Sequence, residues 1–208
     1  MTRLARAALL CALGLVVVGA RPVQAQDATA VQAPIAALDD ALIAAAKAGR
    51  QTPFPSRFQA LAPVVERAFD LPAILQTSVG LTWPHLPADQ QQALLAAFRR
   101  FTVATYVANF DNYDGQRFEM LPGLRSVGNE QVVQTRLVPA RGDATQLDYV
   151  MRQGAGGWQA VDVLLQGSIS RVAVQRSDFR QLLSSGNAGP LIQSLQRKVA
   201  ELSGGSLQ

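Results

Sequence analysis

The sequence predicts an α+β domain in which a four-stranded antiparallel sheet has one apolar face covered by helices. Three observations support this fold class. Apolar residues recur with helical spacing up to about residue 110, alternate between residues 117 and 166, and return to helical spacing after Gly167. Because consecutive strands separated by short glycine-containing turns favour an antiparallel meander, the helices are expected before and after the sheet.

Residues 1–25 are predicted to form a cleaved signal peptide. Two arginines precede an apolar stretch from Ala7 to Ala20, and residues 23–25 have the small-x-small pattern that signal peptidase cleaves. The stretch is too short to span a bilayer comfortably. A retained single-pass anchor is the alternative, and the helix-breaking Pro22 argues against it.

Helices are expected before the sheet, each with its own start signal. Pro34 suits the first helical position, and Ser56 and Asp70 are suitable N-caps. The predicted helices cover residues 34–48, a segment beginning at Ser56 with a kink at Pro63, residues 70–79, and residues 87–110. The last of these has an apolar face so broad that it requires more than one neighbour.

The period-two region predicts the sheet. Its strands are expected at residues 117–121, 131–138, 145–153 and 158–166. In the third strand Leu147, Tyr149 and Met151 share one face, while Asp148 and Arg152 lie on the other. Two further helices follow, around Val172 to Leu183 and Leu191 to Leu202, and residues 204–208 are expected to be a frayed tail.

Charge and cysteine content exclude some classes of protein. Without residues 1–25 the 19 lysines and arginines become 16 against 15 acids, so the formal net charge falls from +4 to +1. That charge gives no electrostatic footprint for nucleic acid. Cys11 is the one cysteine and lies in the predicted signal peptide, so the mature chain of about 180 residues must be stabilised by its core. No later apolar run is expected to approach the length of a membrane span.

Most of the groups that catalysis requires are missing from the sequence. His85 is the one histidine, so a histidine-cysteine metal site cannot be assembled, and no cofactor is expected. No nucleophile elbow, phosphate loop or zinc-protease motif occurs. Ser168 and Ser170 could be nucleophiles but are better explained as helix caps, and Asp111 and Asp114 fit a turn better than a calcium loop.

Apolar residues are in surplus, at 49% of the chain. Eight aromatic residues are expected on the concave side of the sheet: Trp83, Phe98, Phe101, Tyr106, Phe110, Tyr113, Tyr149 and Trp158. An ordinary core explains any one of them. Taken together, they favour a pocket between the sheet and the helices.

Several short phrases, in a fixed order along residues 56–202, carry a family resemblance. They are Phe69-Asp70-Leu71-Pro72, Ala97-Phe98-Arg99-Arg100, Thr105-Tyr106-Val107-Ala108-Asn109-Phe110, Asn112-Tyr113-Asp114-Gly115-Gln116-Arg117-Phe118, Gly156-Gly157-Trp158, Val161-Asp162-Val163 and Arg176-Ser177-Asp178-Phe179. With these phrases the sequence resembles the MlaC, or toluene-tolerance, family of periplasmic lipid carriers. The phrase at 105–110 is especially similar to the hopanoid-associated HpnM branch. The sequence departs from the family at Leu86, where a serine is usual before the proline that opens the long helix.

The resemblance implies a single lipid-binding domain at residues 26–203 with no catalytic residues. Such a protein shields the tails of a phospholipid or hopanoid in a cavity and passes the lipid between inner-membrane and outer-membrane transport complexes. We expect the pocket's mouth at Leu71, Leu75, Leu81 and Trp83, in and before a loop at residues 80–87 with few regular hydrogen bonds. Phe98, Phe101, Val133, Tyr149 and Val163 are expected deeper in the pocket, and Tyr106, Leu137 and Val161 are also expected to contact the lipid.

Two other classes of function remain open from the sequence. An exported enzyme would require a partly buried polar constellation, such as Asp148 with Asp162 and Arg136. An adaptor that binds only proteins would have a filled core and no space for lipid tails.

Overall fold

The computed structural model describes residues 23–184 and 186–207. The predicted signal peptide lies outside these residues, apart from Val23 to Ala25 at the start of the first helix. The described residues form an α+β structure, which confirms the predicted fold class.

Six α-helices and one 3₁₀ helix are present in the described residues. They are α1 (Val23–Ala48), α2 (Phe54–Ala68), α3 (Leu71–Val79), the 3₁₀ helix Gly80–His85, α4 (Ala88–Asn109), α5 (Arg171–Arg180) and α6 (Gly189–Leu202). Helices α1, α2, α3 and α5 contact the strands, whereas α6 packs on α4. The helices therefore form more than one layer, as the broad apolar face of α4 requires.

Helix α1 is longer than predicted, since it begins at Val23 rather than at Pro34. Pro34 lies inside it and removes one backbone hydrogen bond. Burial offsets that loss, because Val31, Ile35 and Leu38 retain at most 2% of their accessible surface.

The segment Ala28–Ala48 has a mean hydropathy of 1.2 and is long and apolar enough to cross a membrane by length and composition alone. The expectation that no apolar run after the signal peptide approaches that length is therefore wrong. One third of the segment is buried inside the protein, where its apolar stripe packs on α2 and the sheet. The same pattern therefore serves here as a core helix.

Of the two helix N-caps predicted before the sheet, the structure confirms Asp70 but not Ser56. Asp70 caps α3, because its carboxylate accepts from the Ala73 amide at 3.0 Å. Ser56 does not cap α2, which begins two residues earlier after Pro53. Helix α4 follows Pro87 without a side-chain cap, as the unusual Leu86 predicts.

The sheet has six strands, so the prediction of four is wrong. They are β1 (Arg117–Met120), β2 (Arg125–Val127), β3 (Glu130–Val138), β4 (Thr145–Gly154), β5 (Gly157–Leu165) and β6 (Ile169–Ser170), and every pairing is antiparallel. The order is β1-β3-β4-β5-β6, and β2 pairs with the other end of β3. The two additional strands have three and two residues, which is too short to show an alternating pattern.

The apolar face of the sheet is turned toward the helices, and we call it the inner face. Val133, Tyr149 and Val163 form one row across three strands. A bulge shifts the register between Val150 and Met151, so the pairing skips Val161. Val161 therefore does not continue the alternation of Val163, contrary to the sequence interpretation.

Residues 203–207, which follow α6, make hydrogen bonds of their own. The Gly205 amide donates to the Ala200 carbonyl at 2.8 Å, and the Leu207 amide donates to the Ser203 hydroxyl at 3.1 Å. The first of these bonds satisfies a carbonyl that the end of α6 leaves unpaired.

Candidate functional site

A groove with a volume of about 510 Å³ separates α1 from the edge strand β1. Its lining consists of Ala36, Asp39, Asp40, Ile43, Ala44 and Lys47 from α1, and Arg117, Phe118 and Met120 from β1. We call it the α1–β1 groove. Asp39, Ile43 and Lys47 are four residues apart, which places them on one side of the helix.

The apolar lining of the groove is continuous with the inner face of the sheet. Phe118 pairs with Leu137, and Met120 pairs with Thr135. Thr135 in turn pairs with Leu147 in β4. Because side chains in paired register share a face, the groove leads under the helices along the sheet.

Several apolar side chains that face the helical layers keep accessible surface. Phe118, Met120, Leu147, Val163 and Tyr106 are only partly buried. Their neighbours Val133, Met151 and Tyr149 retain at most 2%. The inner face therefore offers partly exposed apolar surface that an apolar ligand could cover.

Phe69, at the junction of α2 and α3, lies at the centre of this region. Its ring stacks on Tyr106 with centroids 5.8 Å apart and lies 6.2 Å from Tyr149. The Asp70 amide donates to the Ala160 carbonyl at 3.0 Å, which fixes the junction on β5. The aromatic cluster thus connects α4, the α2–α3 junction and the sheet.

Asp39 is the buried carboxyl of the groove. Its side chain lies in the groove lining, the residue is 7% exposed, and Oδ1 has no hydrogen-bond partner among the described residues. Burial, and secondly the neighbouring Asp40, raise the pKa of this carboxyl to about 7. Near neutral pH this carboxyl therefore holds a proton more readily than an exposed aspartate does.

Two tyrosines close to Asp39 remain neutral. Burial raises the pKa of the Tyr106 phenol, and the charge on Asp39 adds to the shift. Burial also raises the pKa of Tyr149, with contributions from Tyr106 and Asp39 that a hydrogen bond with Thr135 opposes. Both phenols keep their protons and can donate hydrogen bonds.

The residues predicted for the mouth differ widely in exposure. Leu71 and Leu75 retain 2% and 0% of their accessible surface and belong to the core. Leu81 is 84% exposed, whereas Trp83 is partly buried against the core.

The other residues predicted to contact the lipid fall into two groups. Phe98, Val133 and Tyr149 are buried, with exposures of 1%, 0% and 2%. The partly buried members are Phe101, Tyr106, Leu137, Val161 and Val163. Phe101 lies on the α6 side of α4, because the Lys198 ammonium is 5.7 Å from its ring centroid. Tyr106 and Val163 remain candidates for contact with a ligand.

Sequence reasoning missed the α1–β1 groove and Asp39. A signal for Asp39 was present, because it lies four residues after Ile35 and three before Leu42, both of which are buried. That spacing puts an acid at the border of the apolar stripe of a helix, where burial requires a partner.

The three residues named for the enzyme alternative share the face of the sheet opposite the inner face, where the two acids have other hydrogen-bond partners. Asp148 is 2% exposed and accepts from the Gln146 amide at 2.8 Å, whereas Asp162 accepts from the Ser170 hydroxyl at 2.5 Å. Arg136 is exposed. Ser170 also accepts from the Ala173 amide at 2.9 Å, so it caps α5 as predicted. Within the described residues, no group of three or more histidine, cysteine, aspartate or glutamate side chains could hold a metal.

A second groove, with a volume of about 710 Å³, lies at the ends of the β2–β3 and β4–β5 hairpins. Its lining consists of Val127, Asn129, Glu130, Arg152, Gln153 and Trp158. Arg152 pairs with Glu130 at 2.6 Å across it. The site is polar and exposed, so a lipid tail would gain little shielding from water there.

Comparison with known proteins gives two findings. The family model described as MlaC protein matches residues 37–197, which is more than half of the chain. A solved structure from Ralstonia solanacearum, described as a phospholipid-binding protein in complex with a phospholipid, is similar with a TM-score of 0.70 and 23% sequence identity. The similarity covers 83% of this chain and 98% of that one, and at this identity it shows the fold. The comparison with curated proteins gave no match. The chain belongs to the MlaC family.

Proposed function

We propose that this protein is a periplasmic lipid carrier that holds lipid tails between the helices and the inner face of its sheet. The α1–β1 groove carries the proposal. Its apolar residues Ile43, Phe118 and Met120 are continuous with the inner face, and its charged residue Lys47 suits a polar headgroup. An amphipathic ligand requires both kinds of surface in one site.

The free energy of the lipid tails inside the protein must be compared with their free energy in the membrane from which the lipid comes. About thirty tail methylenes, at about 0.8 kcal/mol each, represent roughly 24 kcal/mol relative to water. This value exceeds the practical ceiling of non-covalent affinity. A lipid taken from a bilayer already has dry tails, so the carrier needs only a region about as apolar as the membrane. Exchange is then close to thermoneutral, and docking to partners decides the direction of transfer.

The groove must widen to admit complete tails. Its volume of about 510 Å³ suits a compact ligand. Helix α1 packs mainly on α2 and makes fewer contacts with β1. We propose that β1 and α1 move apart during loading, so that the tails reach the partly buried Tyr106 and Val163.

Export and family membership support the proposed place of action. The predicted signal peptide at residues 1–25 would deliver the chain to the periplasm. There it would receive lipid from one membrane's transport complex and deliver it to the complex of the other membrane. The MlaC match and the phospholipid complex of the Ralstonia solanacearum protein support a binding protein rather than an enzyme.

Two kinds of cargo fit the proposal. The Ralstonia solanacearum protein was solved with a phospholipid, which supports phospholipid cargo. The phrase at 105–110 resembles the HpnM branch and supports a hopanoid-linked role. Tyr106 belongs to that phrase and lies in the aromatic cluster beside the inner face.

Loading from vesicles tests the proposal. Delipidated protein is incubated with vesicles of phosphatidylethanolamine and phosphatidylglycerol, with and without a hopanoid, and the lipid bound to re-isolated protein is quantified by mass spectrometry. Wild-type protein should take up lipid, and Phe118→Glu should lower uptake about tenfold, because a charge opposes apolar contact. Val127→Glu is the matched control, since Val127 is 48% exposed in the polar groove. No uptake by folded wild-type protein would refute the carrier function, and released fatty acid would indicate an enzyme.

A further inference from the structure

Asp39 has a buried side-chain oxygen that lacks a hydrogen-bond donor among the described residues. It lies in the lining of the α1–β1 groove, 93% buried, with Oδ1 unpaired among the described residues. Buried polar atoms in native proteins nearly always have a partner, and a buried carboxylate without one is strongly destabilising. Such an atom in the lining of a groove indicates that a ligand supplies the missing donor.

The neighbouring groups do not supply that donor. Asp40 on α1 is itself an acid, and the phenols of Tyr106 on α4 and Tyr149 on β4 make no hydrogen bond to Asp39 Oδ1. The two cations of the groove have other contacts. The Lys47 ammonium lies 5.0 Å from the Tyr113 ring centroid, and Arg117 pairs with Glu119 at 2.7 Å.

The missing donor is best supplied by a cation that carries N–H groups. Asp39 and Asp40 both line the groove, so a positive charge there is attracted by two carboxyl groups. A primary ammonium also has three hydrogen-bond donors, which a buried carboxylate oxygen needs. A net-anionic headgroup would meet repulsion from the same two residues.

The negatively charged phosphate of a zwitterionic headgroup can be bound at the other end of the groove. Lys47 follows Asp39 by eight residues, which is about 12 Å along the helix axis. Because side chains on a helix tilt toward its N-terminus, Lys47 leans back toward Asp39. Arg117 also lines the groove on the facing strand, but strand alternation directs its side chain, with that of Glu119, to the face opposite Phe118. The cation–π contact of Lys47 is weak enough to exchange for a phosphate.

We infer, on the basis of the proposed carrier function, that the α1–β1 groove selects lipids with a phosphoethanolamine headgroup. Asp39 accepts hydrogen bonds from the primary ammonium, and Lys47 contacts the phosphate. Phosphatidylcholine has the same tails and phosphate but no N–H donor, so it leaves Asp39 Oδ1 unpaired. We expect about a tenfold preference for phosphatidylethanolamine over phosphatidylcholine, typical of one charge-assisted hydrogen bond.

A competition experiment tests this inference. Delipidated protein is incubated with vesicles of equal amounts of dioleoylphosphatidylethanolamine and dioleoylphosphatidylcholine, and the ratio of bound lipids is measured by mass spectrometry. Asp39→Asn keeps the size of the side chain and removes its charge, and it should bring the ratio close to one by lowering the amount of phosphatidylethanolamine bound. Asp40→Asn is the matched control, because it removes the same charge from the adjacent exposed residue and should keep most of the preference.

The outcomes separate this inference from the carrier function. If wild-type protein loads both lipids equally, or if Asp39→Asn keeps the wild-type preference, Asp39 does not select the headgroup although lipid is carried. If Asp40→Asn loses the preference as fully as Asp39→Asn does, the selection comes from net charge and the assignment to Asp39 is wrong. If folded wild-type protein loads neither lipid, both the proposed carrier function and this inference are refuted.

Discussion

Phe69 stacks on Tyr106 with ring centroids 5.8 Å apart and an angle of 26° between the ring planes. Phe69 follows α2, and Tyr106 belongs to α4. The Phe69 ring also lies 6.2 Å from the ring of Tyr149 in β4. One side chain, 4% exposed, therefore joins two helices to the sheet.

Replacement of this ring should be costly. Phe69→Ala removes both aromatic contacts and leaves a cavity, so we expect a loss of about 3–5 kcal/mol in the free energy of unfolding. Urea denaturation followed by circular dichroism measures it. Tyr113→Ala, at an aromatic residue that is 40% exposed, should cost less than about 1 kcal/mol. Equal costs for the two variants would show that Phe69 does not join the layers.

The buried Asp39 predicts how stability depends on pH. Burial and Asp40 raise its folded-state pKa from 3.8 to about 7, so between these values the folded protein binds one proton more than the unfolded chain. The free energy of unfolding should therefore fall as the pH rises from about 4 to about 7 and then level off. The loss attributable to Asp39 is on the order of 3 kcal/mol.

Denaturation of wild-type protein and Asp39→Asn at pH 4.5, 6 and 8 isolates this contribution. The variant should lack the decline and be the more stable protein at pH 8. Asp40→Asn should keep most of the decline, because burial is the larger cause of the shift. A parallel pH dependence in wild-type protein and Asp39→Asn would mean that Asp39 is not the titrating group.

Two adjacent residues of β5 test which face of the sheet points toward the helices. Val163 pairs with Tyr149 on the inner face, whereas Leu164 points to the opposite face and pairs with Asp148. Val163→Lys should abolish lipid loading or folding, because it places an unpaired charge among apolar groups. Leu164→Lys should preserve both, since its ammonium lies across from a carboxylate. Circular dichroism and vesicle loading distinguish the variants, and the reverse order of effects would contradict the assigned faces.

The short 3₁₀ helix before α4 remains a candidate gate. Trp83 is partly buried, and its carbonyl accepts from the Leu86 amide at 3.1 Å and from the Gln91 side chain at 3.0 Å. Trp83→Ala keeps these backbone bonds, so the fold should persist while the rate of lipid exchange changes at least threefold. Transfer of a fluorescent lipid between vesicles measures that rate. An unfolded variant, or exchange at the wild-type rate, would mean that Trp83 is ordinary core.

The sequence predicts the long elements well and the short ones poorly. The strands Glu130–Val138 and Thr145–Gly154 begin and end within one residue of their expected limits, because their alternation extends over nine and ten residues. β2 and β6 are held by pairing with longer strands, and their own sequence has no comparable signal. Tertiary packing likewise carries α1 through Pro34, where local rules end the helix.

The candidate site was less predictable than the fold. Apolar patterning assigns Val133 and Tyr149 to the inner face, but it cannot show which buried residues border open space. Leu71 and Leu75 have the pattern of a pocket wall, yet they retain at most 2% of their accessible surface. The α1–β1 groove joins residues some eighty positions apart in the chain, so only the fold brings Asp39 and Phe118 into one lining.

Native mass spectrometry of the protein purified from the periplasm without detergent tests lipid carriage most directly. If the protein carries lipid, we expect a complex heavier than the mature chain by the mass of one lipid. Extraction should identify that lipid as a phospholipid or a polycyclic lipid. Phosphatidylethanolamine should be enriched among bound phospholipids relative to the membrane from which they came. Protein that is entirely free of lipid as isolated, and that remains free of lipid after incubation with vesicles, would contradict the account.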